Sequence, residues 1–267
     1  MNKTTVAPLI DIMKKLRDPE KGCPWDLKQT YATIVPYTLE EAYEVADAIE
    51  QADFEELKGE LGDLLFQVIF YCQLAVEDGL FDFSDVVDTV CEKLTRRHPH
   101  VFGEQSFTEE QVKANWEAEK QKERMVKNDN EFTSILSNIP KSQPALTRAN
   151  KIQKRCASVG FDWPDVQGAL DKVDEEVAEL KAELHASTID TDKVTDEMGD
   201  LMFAMVNLSR KLKLDPEATL RQASAKFTRR FNAIEQLAHQ ENTHLENLEL
   251  SEMEALWREV KKAEKIN

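Results

Sequence analysis

The chain has 267 residues, of which 51 are acidic and 34 basic, giving a formal charge of −17. That balance repels a polyanion, so a nucleic-acid polymer is excluded as a partner for the surface as a whole. A small nucleotide that arrives with its own cation is not excluded. The length fits one or two domains able to bury a core. Only 8 Gly and 9 Pro occur, and the long stretches between them carry helical rather than alternating apolar periodicity, which predicts an all-α fold. Cys23, Cys72, Cys91 and Cys156 form no CxxC pair, so neither a zinc site nor a redox motif is expected. Free thiols fit a reducing, cytoplasmic setting. The first 22 residues mix Asp11, Lys14, Lys15, Arg17 and Asp18 into their apolar pattern, unlike a signal peptide. No segment is expected to approach the ~20 apolar residues a membrane span needs.

In chain order, the periodicity predicts helices at 5–17, 39–52, 54–78, 84–98 and 108–124. A stretch at 126–144, rich in Asn, Ser and Pro, reads as a linker, with Ile135, Leu136 and Ile139 suited to docking it. Helices follow at 145–158, 165–185, 190–213, 215–240 and 251–265. The expected organisation is a first helical-bundle repeat at 1–125, a linker at 126–144 and a second repeat at 145–267.

The repeat is visible in the acids. Glu40-Glu41-Ala42-Tyr43-Glu44 precedes Glu60-Leu61-Gly62-Asp63, and Glu175-Glu176-Val177-Ala178-Glu179 precedes Glu197-Met198-Gly199-Asp200. Two further blocks recur in the same order: Lys93-Leu94-Thr95-Arg96-Arg97 with Lys226-Phe227-Thr228-Arg229-Arg230, and the Trp116 to Lys120 segment with the Trp257 to Lys261 segment. Acids three apart share a helix face, so two packed helices can pool four carboxylates. Hard divalent cations, Mg²⁺ with Mn²⁺ as a substitute, favour such an oxygen-only set.

Each acid has a structural alternative. Thr38 to Glu41 has capping-box spacing, and exposed acid pairs are common in so acidic a chain. Around Glu60 and Asp63, however, apolar residues cover nearly every direction except a Glu60–Asp63–Gln67 stripe, and Glu197 and Asp200 have similar company. A helix apolar all round is expected to be buried, and buried carboxylates must be paired, protonated or metal-bound. Gly62 and Gly199 fit either the approach of a ligand or another backbone, or a tight helix crossing.

Lys93 with Arg97, and Lys226 with Arg230, lie one turn apart and suit phosphate oxygens. A solvated helix face is the alternative. Trp257 with Lys261 sets an indole one turn before a cation, as a base and a phosphate would require, or as a core-closing Trp would. His98-Pro99-His100 reads as a helix-ending turn. The Glu241 to His244 spacing falls in a predicted loop, which disfavours a di-iron bundle.

The blocks Gly22-Cys23-Pro24-Trp25-Asp26, Thr38 to Glu44, Gly59 to Asp63 and Arg96-Arg97-His98-Pro99-His100-Val101-Phe102-Gly103 resemble the MazG family of two-repeat nucleoside triphosphate pyrophosphohydrolases. The resemblance covers nearly the whole chain. It implies an all-α pyrophosphohydrolase fold, a homodimer, Mg²⁺ dependence, and hydrolysis of a nucleoside triphosphate to monophosphate and pyrophosphate with loose base selectivity. It carries metal ligation to Glu176, Glu179, Glu197 and Asp200, with Glu175 as water-activating base or outer ligand. Nucleotide contacts fall on Lys172, Glu175, Lys193, Asp196, Lys226, Arg230, Trp257 and Lys261. Glu41, Glu44, Glu60, Asp63, Lys93 and Arg97 form a second or vestigial site. The rival readings are a narrower dUTP- or phosphoribosyl-ATP-type enzyme and a non-catalytic Mg²⁺-binding scaffold.

Overall fold

The computed structural model describes residues 5–127 and 134–264, without the side chains of residues 113, 114, 117, 120, 121 and 124–127. Part of the expected linker and Lys265 therefore lie outside the described residues, as does the side chain of Lys120. The chain divides into two compact units, Met1–Asn130 and Glu131–Asn267. The described residues form helices and no strands.

The first unit contains α1 (Ala7–Leu16), α2 (Tyr31–Gln51), α3 (Phe54–Glu77), α4 (Phe83–Arg97), a short α5 (Pro99–Phe102) and α6 (Glu109–Lys127). Helix α2 begins at Tyr31, earlier than the predicted position 39, and runs through Pro36. Its start is set by Thr30, whose side chain accepts from the Thr33 amide while the Thr33 hydroxyl accepts from the Thr30 amide. This reciprocal cap satisfies two amides of the first turn. The Thr38–Glu41 capping box is consequently absent: Thr38 sits inside the helix and donates to the Ile34 carbonyl. Glu41 is free of a capping role. Ala52, in the left-handed region at φ 56°, and Asp53, which caps α3 at the Glu55 and Glu56 amides, make a tight reversal. A connection this short makes α2 and α3 antiparallel neighbours, and they pack along their lengths.

Met13, Ile34, Ile69, Phe70 and Leu74 form the buried core, flanked by Val6, Leu9, Ile10, Phe66, Tyr71 and Phe83. Arg17 closes one edge. It pairs with Glu77 and lies 5.5 Å from the Phe70 ring centre.

The second unit contains α7 (Ala145–Ala157), α8 (Val166–Leu184), α9 (Thr191–Lys211), α10 (Pro216–Gln240) and α11 (Leu250–Ala263). Asp165 caps α8 at the Gly168 amide, and Asp190 caps α9 at the Asp192 amide. Helices α8 and α9 pack as α2 and α3 do, with α7 against α9 and α10, and α10 against α11. Asp162, just before α8, is gripped by Arg210 and Lys211 at the end of α9. The 134–139 stretch docks on this unit: Ile139 is buried, and Arg155 donates to the Ile135 and Ser137 carbonyls.

The prediction that α3 and α9 are buried all round fails within each unit. Leu61 and Leu65 on α3, and Met198, Met202 and Met205 on α9, are exposed. Asp63 and Asp200 are exposed with them, while Glu60 and Glu197 are half-buried. The neighbouring helices of one unit cover only one side of each helix. By length and composition alone α3 reaches the range of a membrane span, with mean hydropathy 1.2 over its most apolar stretch. Its packing on α1 and α2 accounts for part of that composition, a third of the stretch being buried.

Candidate active site

Each antiparallel helix pair gathers carboxylates. On α2 and α3, Glu41, Glu60 and Asp63 each bring an oxygen within 4.8 Å of the others; on α8 and α9, Glu176, Glu179 and Glu197 do the same. The fourth predicted acid stands outside the group in each case, Glu44 in the first and Asp200 in the second. Both still act at close range. The Glu44 charge helps to raise Glu60, and Asp200 contributes to raising Glu197.

Charge crowding is legible in the protonation behaviour. Glu60 is pushed up to about 7, first by burial and then by Glu44, by a hydrogen bond with Glu56 and by Asp63. Glu41 is raised by burial, Asp63 and Glu44, against a lowering hydrogen bond from Gln67. Glu197 is raised by burial and by Glu179, Glu176 and Asp200. Like charges at this range disfavour the ionised form.

The two centres differ in what balances that charge. Glu176 is 3% exposed. One of its oxygens meets the Lys172 ammonium at 2.5 Å, and Lys172 also reaches Glu175 at 2.9 Å. The other Glu176 oxygen is buried without a hydrogen-bond partner. In the first unit the position four before Glu41 is Tyr37. There Gln67 supplies the contact, its amide nitrogen 3.4 Å from Glu41. Lys193 lies 3.9 Å from Glu183 rather than on the cluster, and Asp196 is exposed. Glu44 and Glu60 also line an acidic cleft of about 260 Å³ with Asp47, Asp53 and Glu56.

An orphaned oxygen on a buried carboxylate that is grouped with two more carboxylates fits a divalent cation. Among the described residues both groups suited to a metal are all-carboxylate, as hard cations require. His98 and His100 sit at the α4–α5 junction with rings 5.6 Å apart, and the His98 Nδ1 lies 2.7 Å from the Leu94 carbonyl. This is a helix end, as predicted. A Cβ placed on Gly62 or Gly199 would meet nothing within 4 Å. A tight crossing inside the unit therefore does not explain either glycine.

The two predicted arginines each meet a Trp and a Glu. Arg230 on α10 lies 5.8 Å from the Trp257 ring centre and pairs with Glu264 at 2.7 Å, joined by Arg229. The first unit repeats the arrangement: Arg97 lies 4.8 Å from the Trp116 ring centre and pairs with Glu123 at 2.7 Å, joined by Arg96. Trp257 also contacts Phe227. Lys226 and Lys261 are exposed, and Lys93 is half-buried. The sequence reading missed Glu123 and Glu264. Their signal is the shared spacing, each standing seven residues after its Trp.

Comparison with known proteins gives this arrangement a context. The MazG nucleotide pyrophosphohydrolase domain matches residues 29–102. The chain is 51% identical over 257 residues to the nucleoside triphosphate pyrophosphohydrolase of Escherichia coli strain K12, covering 96% of this chain and 97% of that one. The chain belongs to the MazG family. A second MazG relative, the nucleoside triphosphate pyrophosphohydrolase/pyrophosphatase MazG of Thermotoga maritima, is 42% identical over 95% of this chain and 94% of its own. The solved structure of a mazG-related protein from Thermotoga maritima is 29% identical, covers 43% of this chain and 99% of that one, and superposes with a TM-score of 0.38. The MazG domain match spans α2 to α5, so it contains the first acid set; the second acid set lies outside the matched residues.

Proposed function

We propose that this MazG-family protein hydrolyses nucleoside triphosphates to the monophosphate and pyrophosphate, with Mg²⁺ as cofactor, Mn²⁺ as a substitute, and loose base selectivity. The α8–α9 carboxylates are the reactive centre in this reading. The observation that carries it is Glu176, buried, with one oxygen unpartnered, in a group with Glu179 and Glu197. Glu176, Glu179 and Glu197 would hold the cation, with Asp200 completing the set. A cation there supplies Lewis-acid charge for the substrate's phosphate oxygens.

The chain's own residues do the rest. Glu175 is exposed beside Glu176 and takes the proton from the attacking water as general base. Water oxygen bonds to the α-phosphorus, the bond from that phosphorus to the α–β bridging oxygen breaks, and pyrophosphate leaves. Lys226, Arg230 and Lys261 offset charge on the departing phosphates, and Trp257 offers a face to the base. Lys172, Lys193 and Asp196 border the nucleotide. Glu41, Glu44, Glu60 and Asp63, with Lys93 and Arg97, form a second site of lower activity. The repeats are taken as 1–125 and 145–267, joined by 126–144.

The exposed apolar faces of α3 and α9 support a homodimer, since patches of this kind mark association surfaces. Four free cysteines fit a cytoplasmic setting. The test compares kcat/KM for Glu176→Gln and Glu41→Gln. The reading expects a far larger loss from Glu176→Gln; equal losses, or the reverse order, would overturn the assignment to the second unit.

A further inference from the structure

We propose that Lys172 is a built-in counter-ion of the α8–α9 carboxylates, and that its charge opposes the binding of a divalent cation there and is driven off Glu176 when one binds. This rests on the reading of those carboxylates as metal ligands. The Lys172 ammonium stands 2.5 Å from one Glu176 oxygen and 2.9 Å from Glu175. Glu176 is buried, its second oxygen has no partner, and Glu179 and Glu197 crowd it. Without a cation, three carboxylates within 4.8 Å of each other repel, and the ammonium is the positive charge that the fold supplies. With a cation on the unpartnered Glu176 oxygen, ammonium and metal share one carboxylate, Lys172 on its other oxygen, and the two positive charges repel at close range.

The Lys172 side chain is half-buried, on a flexible stem that carries a point charge. It can rotate towards solvent and leave Glu176 to the metal. Once released, its ammonium is on the rim of the centre, available to an anionic substrate. Metal entry thereby exposes a cation for the phosphates, which couples the two binding events. Among the described residues of the first unit, no ammonium matches Lys172 at Glu41. Tyr37 holds the matching position, and a neutral amide, Gln67, contacts Glu41. The second centre gives up metal affinity that the first does not.

The experiment measures Mn²⁺ binding by calorimetry and by the Mn²⁺ resonance signal in full-length protein carrying Glu41→Gln and Glu60→Gln, which isolates the second centre. Lys172→Met should tighten Mn²⁺ there by on the order of tenfold and lower the melting temperature in EDTA. Lys172→Gln should do the same more weakly. In protein with both centres intact, Lys172→Met should leave the first centre's affinity unchanged. Unchanged or weakened Mn²⁺ affinity in Lys172→Met, with binding still abolished by Glu176→Gln, would overturn the counter-ion role alone. Mn²⁺ binding that survives Glu176→Gln would remove the metal reading, and the counter-ion role with it.

Discussion

Glu176→Gln is the substitution that weighs most on the carboxylate centre. The amide preserves volume and removes one charge from a side chain that is 3% exposed. Without metal two effects oppose: the contact with Lys172 weakens, while repulsion on Glu179 and Glu197 falls. The melting temperature in EDTA should therefore move little. With metal the effects no longer oppose. A cation at a hundred times its dissociation constant stabilises the folded state by about 2.7 kcal/mol. Loss of one of three clustered carboxylates, taken as a hundredfold weakening, leaves about 0.4 kcal/mol at the same concentration. At roughly 4 °C per kcal/mol for a unit of this size, the metal-induced rise should shrink from about 11 °C to about 2 °C. The assay is thermal melting in EDTA and in millimolar Mg²⁺, in protein whose first centre is disabled by Glu41→Gln. A Glu176→Gln protein that keeps the full rise would refute the assignment of Glu176 as a ligand.

Other outcomes follow from the same structure. Phe70 is 1% exposed in the first-unit core, so Phe70→Ala should cost about 3–5 kcal/mol in chemical denaturation. A loss under about 1 kcal/mol would show that this core does not hold the unit together. Asp162 is held down to about 2, first by the Arg210 hydrogen bond and then by Lys211. Its contribution is present above the unfolded-state pKa of about 3.9 and is lost as pH falls through about 2. Asp162→Asn should flatten the acid limb of the stability profile, and an unchanged limb would contradict the pairing. Light scattering should return twice the chain mass of 30.6 kDa, and the paired charges of Leu65→Asp with Met202→Asp should shift it towards the monomer; a wild-type monomer at micromolar concentration would rule out the dimer.

Much of the architecture was legible because helical periodicity and the double acid motif are local. Glu176, Glu179 and Glu197 could be placed on facing helices from spacing alone. Which acid falls outside each group could not. Three residues advance a helix by about 60° short of a full turn, so the crossing of the two helices decides whether Glu44 or Asp200 is left aside. The start of α2 falls earlier than expected because the Thr30–Thr33 cap sets it and the helix runs on through Pro36. Burial of α3 and α9 was overestimated because composition reports the total apolar surface, not which part the same unit covers. Arg97 and Arg230 were read as suited to phosphate oxygens or as part of a solvated face, with no acidic partner from a neighbouring helix named. Their pairing with Glu123 and Glu264 depends on side chains brought together only by the packing of α4 on α6 and α10 on α11.

Cleavage between the α- and β-phosphates by water attack at the α-phosphorus is tested by hydrolysis of ATP with Mg²⁺ in ¹⁸O-labelled water, followed by mass analysis of both products. AMP and pyrophosphate should form in equal amounts, with one labelled oxygen in AMP and none in pyrophosphate. ADP and phosphate as products, or label in the pyrophosphate, would contradict it.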